Sequence, residues 1–260
     1  MSARVSLFLC HSDYPVRAAP HTYLDDDELE RFQRMRPEVG HRFLLGRALA
    51  KAELARLADV DTTAIRFQYS ANGKPTLVDH QHLHFNISHS SSAVAVAVGY
   101  QPVGVDVEEI ERRRGSLEPP CMAPEKFMHS HTARWVAQAA DGERARRFAL
   151  LWTLMESQVK LDDSSVLKAR SHLAVDIREV AEQPVQLGLN PMSQDHFSDC
   201  LWRVYGYEGV SGAANLVALA NRDPAAEICG YLWREDGGHQ AIHLDPLALS
   251  QALSGPTPGR

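Results

Sequence analysis

The chain has 260 residues, 44% hydrophobic and 23% charged, with a formal net charge of −6. That length can bury a sizeable core as one large or two small domains, and the acidic balance argues against a generally basic nucleic-acid binder. The cysteines Cys10, Cys121, Cys200 and Cys229 are scattered, with neither a Cys-x-x-Cys pair nor a dense disulfide framework. No apolar run is long enough to span a bilayer and no signal-peptide pattern opens the chain, so the expected setting is a reducing cytoplasm without a membrane partner.

Arg4 to Cys10 alternates enough for an opening strand. Leu24 to Arg36 begins acidic and ends basic, as the helix dipole favours. Arg42 to Leu57, rich in Ala, Leu and Arg, is the strongest helical stretch. Ile65 to Tyr69 predicts a short strand, and Asn72-Gly73-Lys74-Pro75 a turn. Phe85 to Ile87 and Ala93 to Val98 predict strands, the second apolar on both faces and therefore buried. After a short connection, a strand begins at Val103. Glu109 to Pro124 carries charges, a glycine and three prolines and predicts a loop. Glu143 to Lys160 predicts a helix. Leu173 to Ile177, Leu201 to Tyr207, Asn215 to Ala220 and Glu227 to Trp233 predict further strands, and the Pro/Gly tail from Ser254 frays. This order predicts an α+β chain in two similar halves, residues 1–102 and 103–250, followed by a flexible tail, 251–260. A small-ligand site between the halves is the natural expectation.

Two segments carry the chemistry. In Val103-Gly104-Val105-Asp106-Val107-Glu108 the two carboxylates are two residues apart, which puts them on one side of a strand. In the second, Phe148, Trp152, Glu156 and Lys160 recur at i, i+4 and form one helical stripe. Three carboxylates converging beside an ammonium suit a hard divalent cation that holds a polyphosphate. Singly, each has a plainer reading. Asp106 and Glu108 fit an acidic outer face, Glu156 and Lys160 a solvated pair worth a few tenths of a kcal/mol, and Phe148 and Trp152 core. Phe85-Asn86-Ile87-Ser88-His89-Ser90 offers donors for phosphate oxygens, or a loop with Ser88 as a turn residue. Gly73-Lys74-Pro75 places a cation in a turn, or is an ordinary surface turn.

Taken together and in this order, Gly73-Lys74-Pro75, Phe85 to Ser90, Gly104-Val105-Asp106-Val107-Glu108 and Trp152-Thr153-Leu154-Met155-Glu156-Ser157-Gln158-Val159-Lys160 resemble the 4′-phosphopantetheinyl transferases of the surfactin-synthetase type. His41-Arg42-Phe43-Leu44-Leu45-Gly46 is similar to that family's N-terminal helix motif. The resemblance implies a monomeric pseudo-dimer of two α+β halves with coenzyme A in the cleft between them. It implies transfer of the phosphopantetheine arm to a serine of an apo acyl or peptidyl carrier protein, with release of 3′,5′-adenosine bisphosphate. By the same resemblance, Asp106, Glu108 and Glu156 hold Mg²⁺, and Glu156 or a water it orients is the base. Lys160 offsets charge on the leaving phosphate, and Arg42, Lys74, Pro75, Ser88 and His89 bind the nucleotide end. Two departures stand out: Met155 where a basic residue is usual, and Leu161-Asp162-Asp163-Ser164-Ser165 where a glycine-containing stretch is frequent.

Three other expectations follow. The departures admit a family member that binds coenzyme A or carrier without transfer. His80, His82 and His84, at i, i+2 and i+4, would share one strand face and suit a transition metal, although a polar strand is the plainer reading. Arg112-Arg113-Arg114 offers a basic surface for an acidic carrier.

Overall fold

The computed structural model describes residues 4–110, 120–172, 176–177, 187–188, 200–233, 239–244 and 246–247. The Arg112–Arg114 surface, the start of the strand expected at Leu173 and the tail from Ser254 lie outside these residues.

The architecture is α+β, as expected. The first strand, β1 (Arg4–His11), is followed by helices α1 (Asp26–Gln33) and α2 (Pro37–Ala58) and strands β2 (Phe67–Tyr69), β3 (Pro75–Leu77), β4 (His84–His89) and β5 (Ala93–Gly99). Strand β6 (Val103–Glu109) precedes helices α3 (Ser130–Ala137), α4 (Asp141–Leu161) and α5 (Val166–His172). The two-residue strands β7 (Asp176–Ile177) and β8 (Leu187–Gly188) follow, then β9 (Leu201–Glu208), β10 (Ala214–Asn221), β11 (Glu227–Trp233) and β12 (His239–Ile242).

The single helix expected over Leu24 to Arg36 is shorter, because Pro37 takes the first position of α2 and holds Arg36 extended at φ −62, ψ 146. Asp25 caps α1 by accepting from the Glu28 amide. Gly73, at φ +81, makes the turn between β2 and β3.

A five-stranded sheet runs in the order β12-β11-β1-β5-β4, and a three-stranded sheet in the order β6-β10-β9. The chain leaves the first sheet after β5, builds the second, and returns when β11 pairs in parallel with β1. Helix α2 lies on β4 and β5, and α4 lies on β6 and β10. Strand β5 is buried along its whole length. One apolar cluster unites Val5, Leu7, Leu9 and Ala95 of the first sheet with Val103, Val105, Val217 and Leu219 of the second.

Strands β4 and β6 run side by side and are joined by side chains. Asn86 Oδ1 accepts from the Val105 amide at 2.9 Å, and Ser88 Oγ from the Val107 amide at 3.3 Å. At the far end, the buried Asn215 side chain bonds Ser90 at 2.7 Å and Ser92 at 2.9 Å. Among the described residues, no helix is long and apolar enough to cross a membrane.

Candidate functional site

Strand β6 turns Gly104, Asp106 and Glu108 toward α4, as their alternate spacing requires. A Cβ at Gly104 would come within 2.0 Å of the Ser157 carbonyl oxygen and 2.7 Å of the Leu161 amide. The missing side chain is therefore what lets the helix approach. The stripe on α4 meets the acidic face in register. Trp152 Nε1 donates to Glu108 Oε1 at 3.1 Å, and Lys160 Nζ to Asp106 Oδ1 at 2.6 Å.

Phe148 and Trp152 stack 5.9 Å apart, with Phe127 edge-on to both. Neither ring is a fully buried core residue: each is partly buried and packs against the cluster from outside. Met155 is buried in that cluster. The residue before Glu156 therefore points inward, where an apolar side chain packs without desolvating a charge.

Asp106 is 4% exposed. Its Oδ1 takes the Lys160 ammonium and, at 2.8 Å, the Ser88 hydroxyl, while Oδ2 is buried without a hydrogen-bond partner. Glu156 lies beside it, and burial, then repulsion from Asp106, raises its pKa to about 7 despite Lys160. Among the described residues no three His, Cys, Asp or Glu side chains already converge as a metal site. The carboxylates share a seam, with Glu108 tied to Trp152 and Asp106 to Lys160. The orphaned Oδ2 nevertheless fits a cation, because a buried carboxylate oxygen with no donor is costly and a hard metal ion would satisfy it.

Beside this seam opens a cleft of about 500 Å³ lined by Arg31, Arg42, Phe43, Arg47, Asn72, Gly73, Lys74, Pro75, Asn86, Ile87, His89 and Lys160, and by Asp163 to Val166. Arg42, Lys74, Pro75 and His89, all expected at the nucleotide end, are thus brought together. Arg47 was not singled out from the sequence, and Arg31 was noted only as one of the arginines, with Arg34 and Arg36, near the N-terminal helix motif. The guanidinium groups of Arg31 and Arg47 lie over the Phe43 ring, at 5.5 and 4.7 Å, and buried Glu28 fixes Arg47 Nε at 2.6 Å. The i, i+4 spacing of Phe43 and Arg47 on α2 was the signal available.

His89 keeps an edge open to solvent but is crowded by protein. That desolvation, then the charges of Arg42 and Lys160, pushes its pKa down to about 4. Lys74 also lines the cleft, with its pKa lowered by burial first of all. Its ammonium donates to the Lys160 and Leu161 carbonyls at the end of α4, a favourable place for a cation. Just beyond, in the Leu161 to Ser165 stretch, Asp163 adopts φ +48. Aspartate tolerates that conformation, and here its Oδ1 accepts from Ser70 at 2.9 Å and its carbonyl from Asn72 at 2.6 Å.

The histidine face is not formed. His80 and His82 lie in a turn, His80 at φ +58, and only His84 begins a strand. The turn breaks the alternation that would have aligned three imidazoles.

An acidic strand faces a glutamate–lysine helix beside a cationic cleft, an arrangement that suits an anionic, phosphate-bearing ligand. Residues 102–214 match the family model described as the 4′-phosphopantetheinyl transferase superfamily. Residues 19–101 match the one described as 4′-phosphopantetheinyl transferase, N-terminal. The chain belongs to this superfamily. It is 28% identical over 185 residues to the 4′-phosphopantetheinyl transferase Sfp of Bacillus subtilis (strain 168), which is 71% of this chain and 77% of that protein. It is also 28% identical over 173 residues to the 4′-phosphopantetheinyl transferase HetI of Nostoc sp. (strain PCC 7120), or 65% and 70% of the two chains. A Synechocystis sp. (strain PCC 6803) protein is 26% identical over 164 residues; the match spans 62% of this chain and just under two thirds, 65%, of that relative.

Proposed function

We propose that the protein transfers the 4′-phosphopantetheine arm of coenzyme A to a serine of an apo acyl or peptidyl carrier protein, releasing 3′,5′-adenosine bisphosphate. The observation that carries this reading is the seam of Asp106, Glu108, Glu156 and Lys160 at the edge of the cationic cleft. A two-domain division of labour goes with it. Residues 1–102 supply the nucleotide end, 103–250 the reacting end, and the two similar α+β halves act as a pseudo-dimer within a monomer. Binding of coenzyme A or carrier without transfer is less well supported, because Met155 packs in the core and the carboxylates and lysine are retained.

Arg42, Lys74 and His89 hold the 3′-phosphate and its neighbours, and Pro75 fixes the strand end that carries Lys74. Asp106, Glu108 and Glu156 would hold Mg²⁺, which when bound neutralises pyrophosphate charge. Glu156, with a pKa of about 7, is matched to accept the carrier serine proton, directly or through a water. Lys160 lies at the cleft rim, where its ammonium can offset charge on the departing bisphosphate. The four scattered cysteines, Cys10, Cys121, Cys200 and Cys229, accord with a cytoplasmic enzyme.

The test is mass spectrometry of several apo carriers after incubation with the protein, coenzyme A and Mg²⁺. The expected product gains the phosphopantetheine mass, is suppressed by chelation, and identifies the carrier. Glu156→Ala should nearly abolish the gain, and Lys160→Ala should slow it by about a hundredfold or more. No gain on any carrier sinks the transferase reading; full activity in both variants sinks this mechanism.

A further inference from the structure

We propose that Ser88 is a positioning residue that sets the Asp106 carboxylate for a divalent cation, instead of contacting phosphate through its hydroxyl. The proposal rests on the transferase reading and deepens it. Ser88 is 6% exposed, and its Oγ has three partners on two other elements. They are Asp106 Oδ1 at 2.8 Å, Lys160 Nζ at 2.9 Å and the Val107 amide at 3.3 Å.

A serine hydroxyl has one donor and two acceptor positions. The Val107 amide and the Lys160 ammonium can only donate, so they fill the acceptor positions. The hydroxyl proton must then go to Asp106 Oδ1. No donor remains for a phosphate oxygen, so the side chain expected from the motif to touch phosphate is committed elsewhere. The next residue, His89, points to the opposite face of β4 and lines the cleft. The string Ser88-His89 therefore divides two tasks between the two faces of one strand.

The consequence falls on Asp106. With Oδ1 taken by Ser88 and Lys160, the atom left for a further partner is the buried Oδ2. A ligand oriented by such a supporting bond holds metal more tightly, and losing the support typically costs about 10- to 100-fold in affinity.

The experiment is Mn²⁺ binding to the purified protein by electron paramagnetic resonance, without coenzyme A. Ser88→Ala should weaken Mn²⁺ about 10- to 100-fold. The ratio of coenzyme A to dephospho-coenzyme A affinity, measured in chelator, should stay at the parent value. Thermal melting reports whether the variant folds. If Ser88→Ala does not fold, the isosteric pair Ser88→Thr and Ser88→Val takes its place, and the hydroxyl-bearing member should bind Mn²⁺ more tightly. Parent-like Mn²⁺ affinity in the hydroxyl-less variants overturns the proposal. So does loss of discrimination between the two nucleotides, or a parent protein that binds no Mn²⁺. None of these readouts uses a carrier, so failure of the transferase reading shows separately in the mass assay.

Discussion

At the scale of single residues, Glu156 makes the site pH-sensitive even before substrate arrives. Its carboxyl has a pKa raised from 4.5 to about 7, by burial first and Asp106 second. Between those values the folded protein holds a proton that the unfolded chain has released. Stability is therefore lost as pH rises: the contribution is full below about 4.5 and gone above about 7. A bound cation favours the ionised carboxylate and opposes this loss. Calorimetry should show Mg²⁺ raising Tm more at high pH than at low pH, across the titration near pH 7. Glu156→Gln should flatten the difference. An equal Mg²⁺ effect at both pH values in the parent would remove Glu156 from the ion's surroundings.

At the scale of elements, the seam between β6 and α4 depends on Gly104. Backbone atoms of Ser157 and Leu161 occupy the space a side chain would need, and backbone cannot step aside as a rotamer can. Gly104→Ala should push the helix outward, costing about 3 kcal/mol or more and misaligning Trp152 with Glu108 and Lys160 with Asp106. Gly206→Ala on β9 is the control, because its nearest atom, Leu247 Cδ1, is at an ordinary 3.6 Å. Urea unfolding should separate the two variants clearly, and similar midpoints would show that the seam tolerates a methyl group.

The pairing at this seam was legible because two periodicities announce it: alternate carboxylates on β6 and the four-residue stripe on α4. Gly104 was visible only as a small residue, since close approach is a property of the partner element. The bond from Ser88 to Asp106 was hidden for a related reason: the motif names the residue but not the carboxylate across from it. His80 to His84 failed because a positive φ at His80 breaks a strand that spacing alone assumes.

At the scale of the molecule, the linear order conceals how the two sheets depend on each other. A boundary between 102 and 103 follows the chain as it passes from β5 to β6, but β11, which comes 120 residues or so after that point, completes the first sheet beside β1. Local pattern could find β11 as a strand and could not say which strand it joins, because parallel pairing across a long separation leaves no local mark. The shared apolar cluster compounds this. Val5, Leu7 and Leu9 pack with Val103, Val105 and Leu219, so either half alone would expose one side of a buried layer. Residues 1–102 expressed alone should therefore be poorly soluble or lack fixed packing, with β1 bare along the edge that β11 covers. Co-expression with residues 103–260 should restore a soluble complex that melts in one transition. Near-ultraviolet circular dichroism and amide exchange on the short fragment would decide the matter. Native-like protection of Leu7 and Phe8 without the second fragment would mean that the halves fold independently and meet only to form the cleft.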